Sequence, residues 1–129
     1  MYLLSILLVA SLFGGMLLFA GGFGTLAFKL LDKAAARSLI RDTFPYFYLY
    51  VLANSGLAAV LSFFINTTAF ILLIIIFVTT IPNRQFLMPT INKAADTGNN
   101  KTWGILHGLS VIITVAHIAL AGAALIYLF

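Results

Sequence analysis

The sequence predicts an all-α membrane protein: a four-transmembrane-helix up-down bundle with a short interfacial amphipathic helix between spans 1 and 2. Three observations predict it. Of 129 residues, 63% are hydrophobic and only 8% are charged, against about 25% charged in an ordinary soluble domain. Four apolar stretches, about residues 2–28, 44–64, 68–88 and 103–129, can each cross or nearly cross a hydrocarbon layer roughly 30 Å thick at about 1.5 Å of rise per residue. All seven basic side chains fall in two of the three connecting segments. Residues 1–129 are read as one integral membrane domain, because the polar segments are too short to build a core of their own. With no cysteine in the chain, disulfides, thiolate metal sites and cysteine nucleophiles are excluded. The net charge of +4 suits membrane topology and anionic headgroups, and nucleic acid is excluded as a partner.

The first span, from about Tyr2 to Phe28, carries no charge before Lys29, unlike the basic start of a cleaved signal peptide, and it is expected to stay as a span. It is rich in small residues four apart: Ala10 with Gly14, Ser11 with Gly15, Ala20 with Gly24 and Gly21 with Thr25. That spacing lets membrane helices approach until their backbones touch. Gly14, Gly15, Gly21 and Gly24 are therefore expected helix-packing positions, as are Gly104 and Gly108 in the last span. They would serve the bundle's own packing, a dimer seam, or a ledge for a flat ligand.

After Lys29, Asp32 is placed to cap a helix over about 33–43, on which Lys33, Arg37 and Arg41 line one edge at i, i+4 and i+8. Ala35, Ala36, Leu39 and Ile40 lie opposite. This is the pattern of a helix lying among lipid headgroups, with the three cations toward phosphate.

Phe44-Pro45 opens the second span, where Tyr46, Tyr50 and Asn54 form a polar row at i, i+4 and i+8. Ile65–Thr67 makes a tight reversal. In the third span Pro82 is expected to break or bend the helix before Asn83 and Arg84. Arg84 would snorkel to the interface or turn inward to hold an anionic group. Pro89 and the following Thr-Ile-Asn92 begin a polar loop ending near Lys101.

The fourth span holds both histidines. His107, Ser110, Thr114 and His117 recur at three and four, followed by Ala121 and Ala124, so one stripe is polar or small and the rest aliphatic. An unpaired polar stripe is costly in lipid, so it is expected to look inward. The basic segments, Lys29 to Arg41 and Arg84 to Lys101, predict one cytoplasmic end, with both termini on the outer, periplasmic face of an inner membrane. Measured from that end, Tyr50 lies about 9 Å deep, Asn54 about 15 Å, His107 about 6 Å and His117 about 21 Å. A polar line Tyr50, Asn54, His107, His117 is the expected place for any cofactor.

The chemistry of that line is restricted. The histidines are ten residues apart on one helix, about 15 Å of rise, so one chain cannot clamp a haem iron between them. Single-histidine ligation of a haem or chlorophyll-type porphyrin stays open, as does a quinone. The spacing and donor set do not suit zinc or copper. All three acids, Asp32, Asp42 and Asp96, lie in the loops, leaving neither histidine an acid–base partner at its depth. No catalytic residue is assigned and an enzyme is not expected.

Four motifs carry a likeness. The four-span plan, Phe44-Pro45-Tyr46-Phe47-Tyr48 entering span 2, Met88-Pro89-Thr90-Ile91-Asn92 after span 3, and Leu106-His107-Gly108-Leu109-Ser110 in span 4 resemble bacterial members of the transmembrane protein 205 family. The resemblance implies a four-helix inner-membrane protein with no established activity, with His107, Gly108, Ser110, Pro89 and Asn92 at signature positions. The expected role is a non-catalytic accessory or scaffold subunit. It would pack against membrane lipids and a larger membrane complex, for example an energy-transducing one, or a second copy of itself. A binder of a lipid-soluble molecule is the alternative. An oligomeric transporter is the weaker one, since neither broken-helix pairs nor an inverted repeat is present.

Overall fold

The computed structural model describes residues 1–129 as four long helices without strands. Helix α1 spans Tyr2–Leu30, α2 Lys33–Phe63, α3 Thr67–Asp96 and α4 Asn100–Leu128. Each is apolar and long enough to cross a bilayer, and the protein is a multi-pass membrane protein of up-down bundle form. Connections of two or three residues (31–32, 64–66 and 97–99) force consecutive helices to run antiparallel. The helices pack in the cyclic order α1, α2, α3, α4, with α4 closing against α1.

Each turn between helices is chemically marked. Asp32 Oδ1 accepts from the Ala35 amide at 2.7 Å, Asn66 Oδ1 from Ala69 at 3.0 Å and Asn99 Oδ1 from Thr102 at 3.2 Å. Each satisfies one of the free N–H groups that begin a helix. Before the last cap, Gly98 adopts φ +71°, a left-handed conformation that glycine enters without steric cost.

The core combines aliphatic with small side chains. Val9, Leu12, Met16, Val51, Leu73 and Ile76 are buried with Ala58, Ala59, Ala69, Ala121 and Ala124. The small residues bring the helices close, which is the source of attraction between rods already immersed in oil. Toward the basic end the core turns aromatic. Phe19 stacks on Phe47 with centroids 4.2 Å apart and meets Phe44 edge-on at 5.3 Å. Phe19 sits in a π-helical turn, Leu18–Phe23.

The connecting segments depart from the expectations above. Residues 33–43 form no separate interfacial helix: they are the first turns of α2, which runs unbroken through Pro45. Pro45 lies twelve residues inside α2, and the one backbone hydrogen bond it forgoes is offset by packing of the same turn, where Phe44, Phe47 and Tyr48 join the aromatic cluster. In α3, Pro82 does not break the helix and the expected polar loop after Pro89 is helical to Asp96. The ladder changes register instead. Asn83–Leu87 is a π-helical turn, with the Met88 amide bonded to the Asn83 carbonyl. Pro89, which has no N–H to give, follows directly where the register has just slipped.

Candidate functional site

Tyr50, Asn54, His107 and His117, expected to share one line, are divided among separate contacts. Tyr50 reaches across to α1. Its hydroxyl donates to the Ser11 carbonyl and lies 2.7 Å from Ser11 Oγ, so the serine hydroxyl donates to the phenol oxygen. Its ring rests on Gly15, where an added Cβ would lie 2.5 Å from the phenol oxygen and 2.7 Å from Cε1. At Gly15 the place of a flat ligand is taken by the protein's own tyrosine. Asn54 Nδ2 turns back to the Tyr50 carbonyl at 3.0 Å.

His117 is buried, with Nε2 2.8 Å from Thr79 Oγ1 on α3. The Thr79 hydroxyl has one proton, and at 2.6 Å it donates to the Ile75 carbonyl. It therefore accepts from His117, and this network assigns the ring proton to Nε2. That nitrogen has no lone pair free for a porphyrin metal while the bond holds. His107 is exposed and stacks on Trp103 with centroids 4.8 Å apart and 6° between planes. The physical reason is rotation. At 3.6 residues per turn, ten residues leave His107 about 80° around the helix from His117, so one histidine faces the core and the other its edge. Ser110, on the buried side, lies 3.3 Å from the Tyr48 hydroxyl across the bundle. Thr114 donates to the Ser110 carbonyl.

The predicted packing glycines divide as well. Gly15 meets Tyr50, and a Cβ on Gly24 would lie 4.0 Å from Ile40, whereas Gly14, Gly21, Gly104 and Gly108 have no atom within 4 Å of the position a Cβ would take. Two other glycines carry the close helix contacts. A Cβ on Gly56 would meet Phe77 at 3.1 Å, and one on Gly122 would meet Phe13 at 3.2 Å. Each is a lone glycine whose pairing aromatic lies on another helix, a signal that spacing along one helix does not contain.

At the basic end two arginines cross from one helix to another. Arg41 makes a paired contact with Asp96, Nη1 to Oδ1 at 2.6 Å and Nη2 to Oδ2 at 2.8 Å. It is thus held by a carboxylate rather than left free beside Lys33 and Arg37, which are exposed. Arg84 turns toward α2, with Nε donating to the Pro45 carbonyl at 3.3 Å and Nη1 to Gln85 Oε1 at 3.0 Å. Between these crossings lies a cleft of ≈ 500 Å³ with Asp42, Tyr46 and Leu49 on its α2 wall and Arg84 and Asn92 on the other. Pro89 is exposed. Asn83, beside Arg84, is 3% exposed with both amide atoms lacking a hydrogen-bond partner.

A family model described as a domain of unknown function, DUF4149, matches residues 7–100. The matched segment contains most of α1, all of α2 and α3, and both walls of the cleft. No curated protein and no solved structure matches the chain.

Proposed function

Because the chain belongs to the DUF4149 family, whose description names no activity, we propose from its own geometry that it is a non-catalytic membrane subunit. It packs by helix contact against a second copy of itself or a larger membrane complex. The observation that carries this reading is the pair of open glycine seams, Gly14 and Gly21 on α1 and Gly104 and Gly108 on α4, with nothing against any of the four. Small residues on a lipid-exposed face let another helix approach its backbone, and lipid tails fill such a groove less well. The polar side chains offer the contrasting support: Tyr50, Asn54 and His117 are engaged within the bundle, so none is held in wait for a reacting group. We read the basic end as cytoplasmic in an inner membrane, following the distribution of Lys and Arg. The likeness to the transmembrane protein 205 family, carried by the Phe44–Tyr48, Met88–Asn92 and Leu106–Ser110 motifs, is part of the same reading.

The test is the mass of the protein extracted in mild detergent or native nanodiscs. An oligomer or a co-purifying membrane protein is expected, weakened by Gly14→Leu with Gly21→Leu or by Gly104→Leu with Gly108→Leu. A lone monomer under all these conditions would overturn the proposal.

A further inference from the structure

We infer that the cleft between the start of α2 and the end of α3 holds the headgroup of a zwitterionic aminophospholipid, its phosphate on Arg84 and its ammonium on Asp42. The starting point is an inventory of charge. Of the chain's three acids, Asp32 is engaged in capping α2 and Asp96 in holding Arg41. Asp42 has no ion pair and its carboxylate accepts no hydrogen bond; it lines the cleft near Arg41, whose guanidinium is already bound to Asp96. Arg84, on the opposite wall, has no carboxylate either. Its two hydrogen bonds, to Pro45 and Gln85, use Nε and one N–H of Nη1, leaving both N–H groups of Nη2 and one of Nη1 for an acceptor. Two cations and one anion thus line the cleft; with Arg41 bound to Asp96, Arg84 and Asp42 are left without an ion-pair partner, and they do not pair with each other.

A phosphate oxygen matches the guanidinium fork, and a primary ammonium donates to the carboxylate. Phosphoethanolamine carries both groups on a two-carbon spacer. Asn92, half-buried on the same wall as Arg84, adds an amide to the polar end.

The occupant comes from the membrane because the cleft's other end is apolar and faces lipid. Leu49, about 10 Å deeper than Asp42 on the same face of α2, is 46% exposed, and Tyr46 between them is 72% exposed. A tyrosine at that level is suited to the interface, with its ring toward acyl chains and its hydroxyl toward headgroups. Charge complementarity also ranks the competitors. Phosphatidylglycerol brings a phosphate toward Asp42 and no ammonium to offset the carboxylate, whose neighbour Arg41 is already bound to Asp96. Phosphatidylcholine brings a quaternary ammonium that has no N–H to donate. The Arg41–Asp96 crossing holds the two helices at the outer rim, so the cleft does not depend on the occupant for its shape.

The experiment reconstitutes the full chain into vesicles of equal parts phosphatidylethanolamine, phosphatidylglycerol and phosphatidylcholine, extracts it in mild detergent and counts retained lipids by native mass spectrometry. Wild type is expected to retain phosphatidylethanolamine over both others. Arg84→Gln should lower its retention about tenfold, the equivalent of one charge-assisted hydrogen bond. Asp42→Asn should erase the preference for ethanolamine and raise phosphatidylglycerol, with helix content by circular dichroism as the folding control. Phosphatidylglycerol retained as well as phosphatidylethanolamine by wild type would overturn the inference. So would an unchanged lipid ratio in folded Asp42→Asn. If either variant fails to fold, the wild-type ratio decides. Oligomeric mass is read from the same spectra, so loss of lipid preference and loss of association are separate results.

Discussion

Tyr50 rests on the backbone of Gly15, with its hydroxyl between the Ser11 side chain and the Ser11 carbonyl. Helices α1 and α2 are thereby joined through a polar contact that exists only because a side chain is missing beneath the ring. Gly15→Ala should cost about 1–3 kcal/mol by overpacking, read as a lower midpoint in detergent unfolding titrated with dodecyl sulfate. Most of that loss should vanish when Tyr50→Ala is present, since the two sites share one contact. Gly108→Ala, at an open position, should move the midpoint by less than about 0.5 kcal/mol. Equal losses at Gly15 and Gly108 would contradict the assignment of inner and outer glycines.

The His117–Thr79 bond joins α4 to α3 inside the bundle. A double-mutant cycle of Thr79→Val and His117→Leu should return a coupling of about 0.6–1.7 kcal/mol, the range of hydrogen bonds between membrane helices. Nitrogen NMR of the imidazole should place the proton on Nε2 in wild type. A proton on Nδ1 would mean the Thr79 hydroxyl does not direct its hydrogen to Ile75.

Asn83 is buried beside the Tyr48 hydroxyl, with neither half of its amide in a well-formed hydrogen bond. Replacing an unsatisfied buried amide by an apolar group of similar size removes a desolvation cost of about 1–3 kcal/mol. Asn83→Leu is therefore expected to unfold at equal or higher denaturant than wild type. A marked destabilisation would mean that the neighbouring Tyr48 hydroxyl holds the amide after all.

Arg41 and Asp96 lie 55 residues apart in sequence and both are well exposed. Exposed ion pairs contribute little to global stability and are screened by salt, so Asp96→Asn should leave the unfolding midpoint nearly unchanged. The effect should be local. Amide exchange over residues 88–96 should quicken, because the end of α3 loses its tether to α2, and raising the salt should produce the same change in wild type. An unchanged exchange pattern would argue that the helix end is held by packing alone.

The spans could be read before any coordinates because they depend on composition and on Lys and Arg counts, which are sums over many residues. The elements that misled depend on single positions. Pro82 and Pro89 announce a break, but a π turn between them absorbs the register change, and no propensity argument anticipates such a slip. Lys33, Arg37 and Arg41 do share an edge, yet Arg41 finds Asp96, and only the closing of the bundle brings that carboxylate near. The two histidines are on one broad stripe, but its edge is exposed, so His107 and His117 part company through rotation alone. Ser11 with Gly15 was visible as a small pair; that its occupant is Tyr50 required knowing which helix packs there. Asp42 and Arg84 carry no motif at all, and their common cleft follows from the antiparallel packing of α2 and α3.

Helices of 29 to 31 residues rise about 44–46 Å, close to the full thickness of a bilayer with its headgroups. Joined by connectors of only two or three residues, these rods leave almost no lever projecting into water between spans. A change in the surrounding lipid therefore bears on nearly the whole length of each rod. Thinning the surrounding leaflet by a few ångströms obliges the quartet to tilt as one or to drag headgroups inward, so its posture is tied to the thickness of the membrane it lives in.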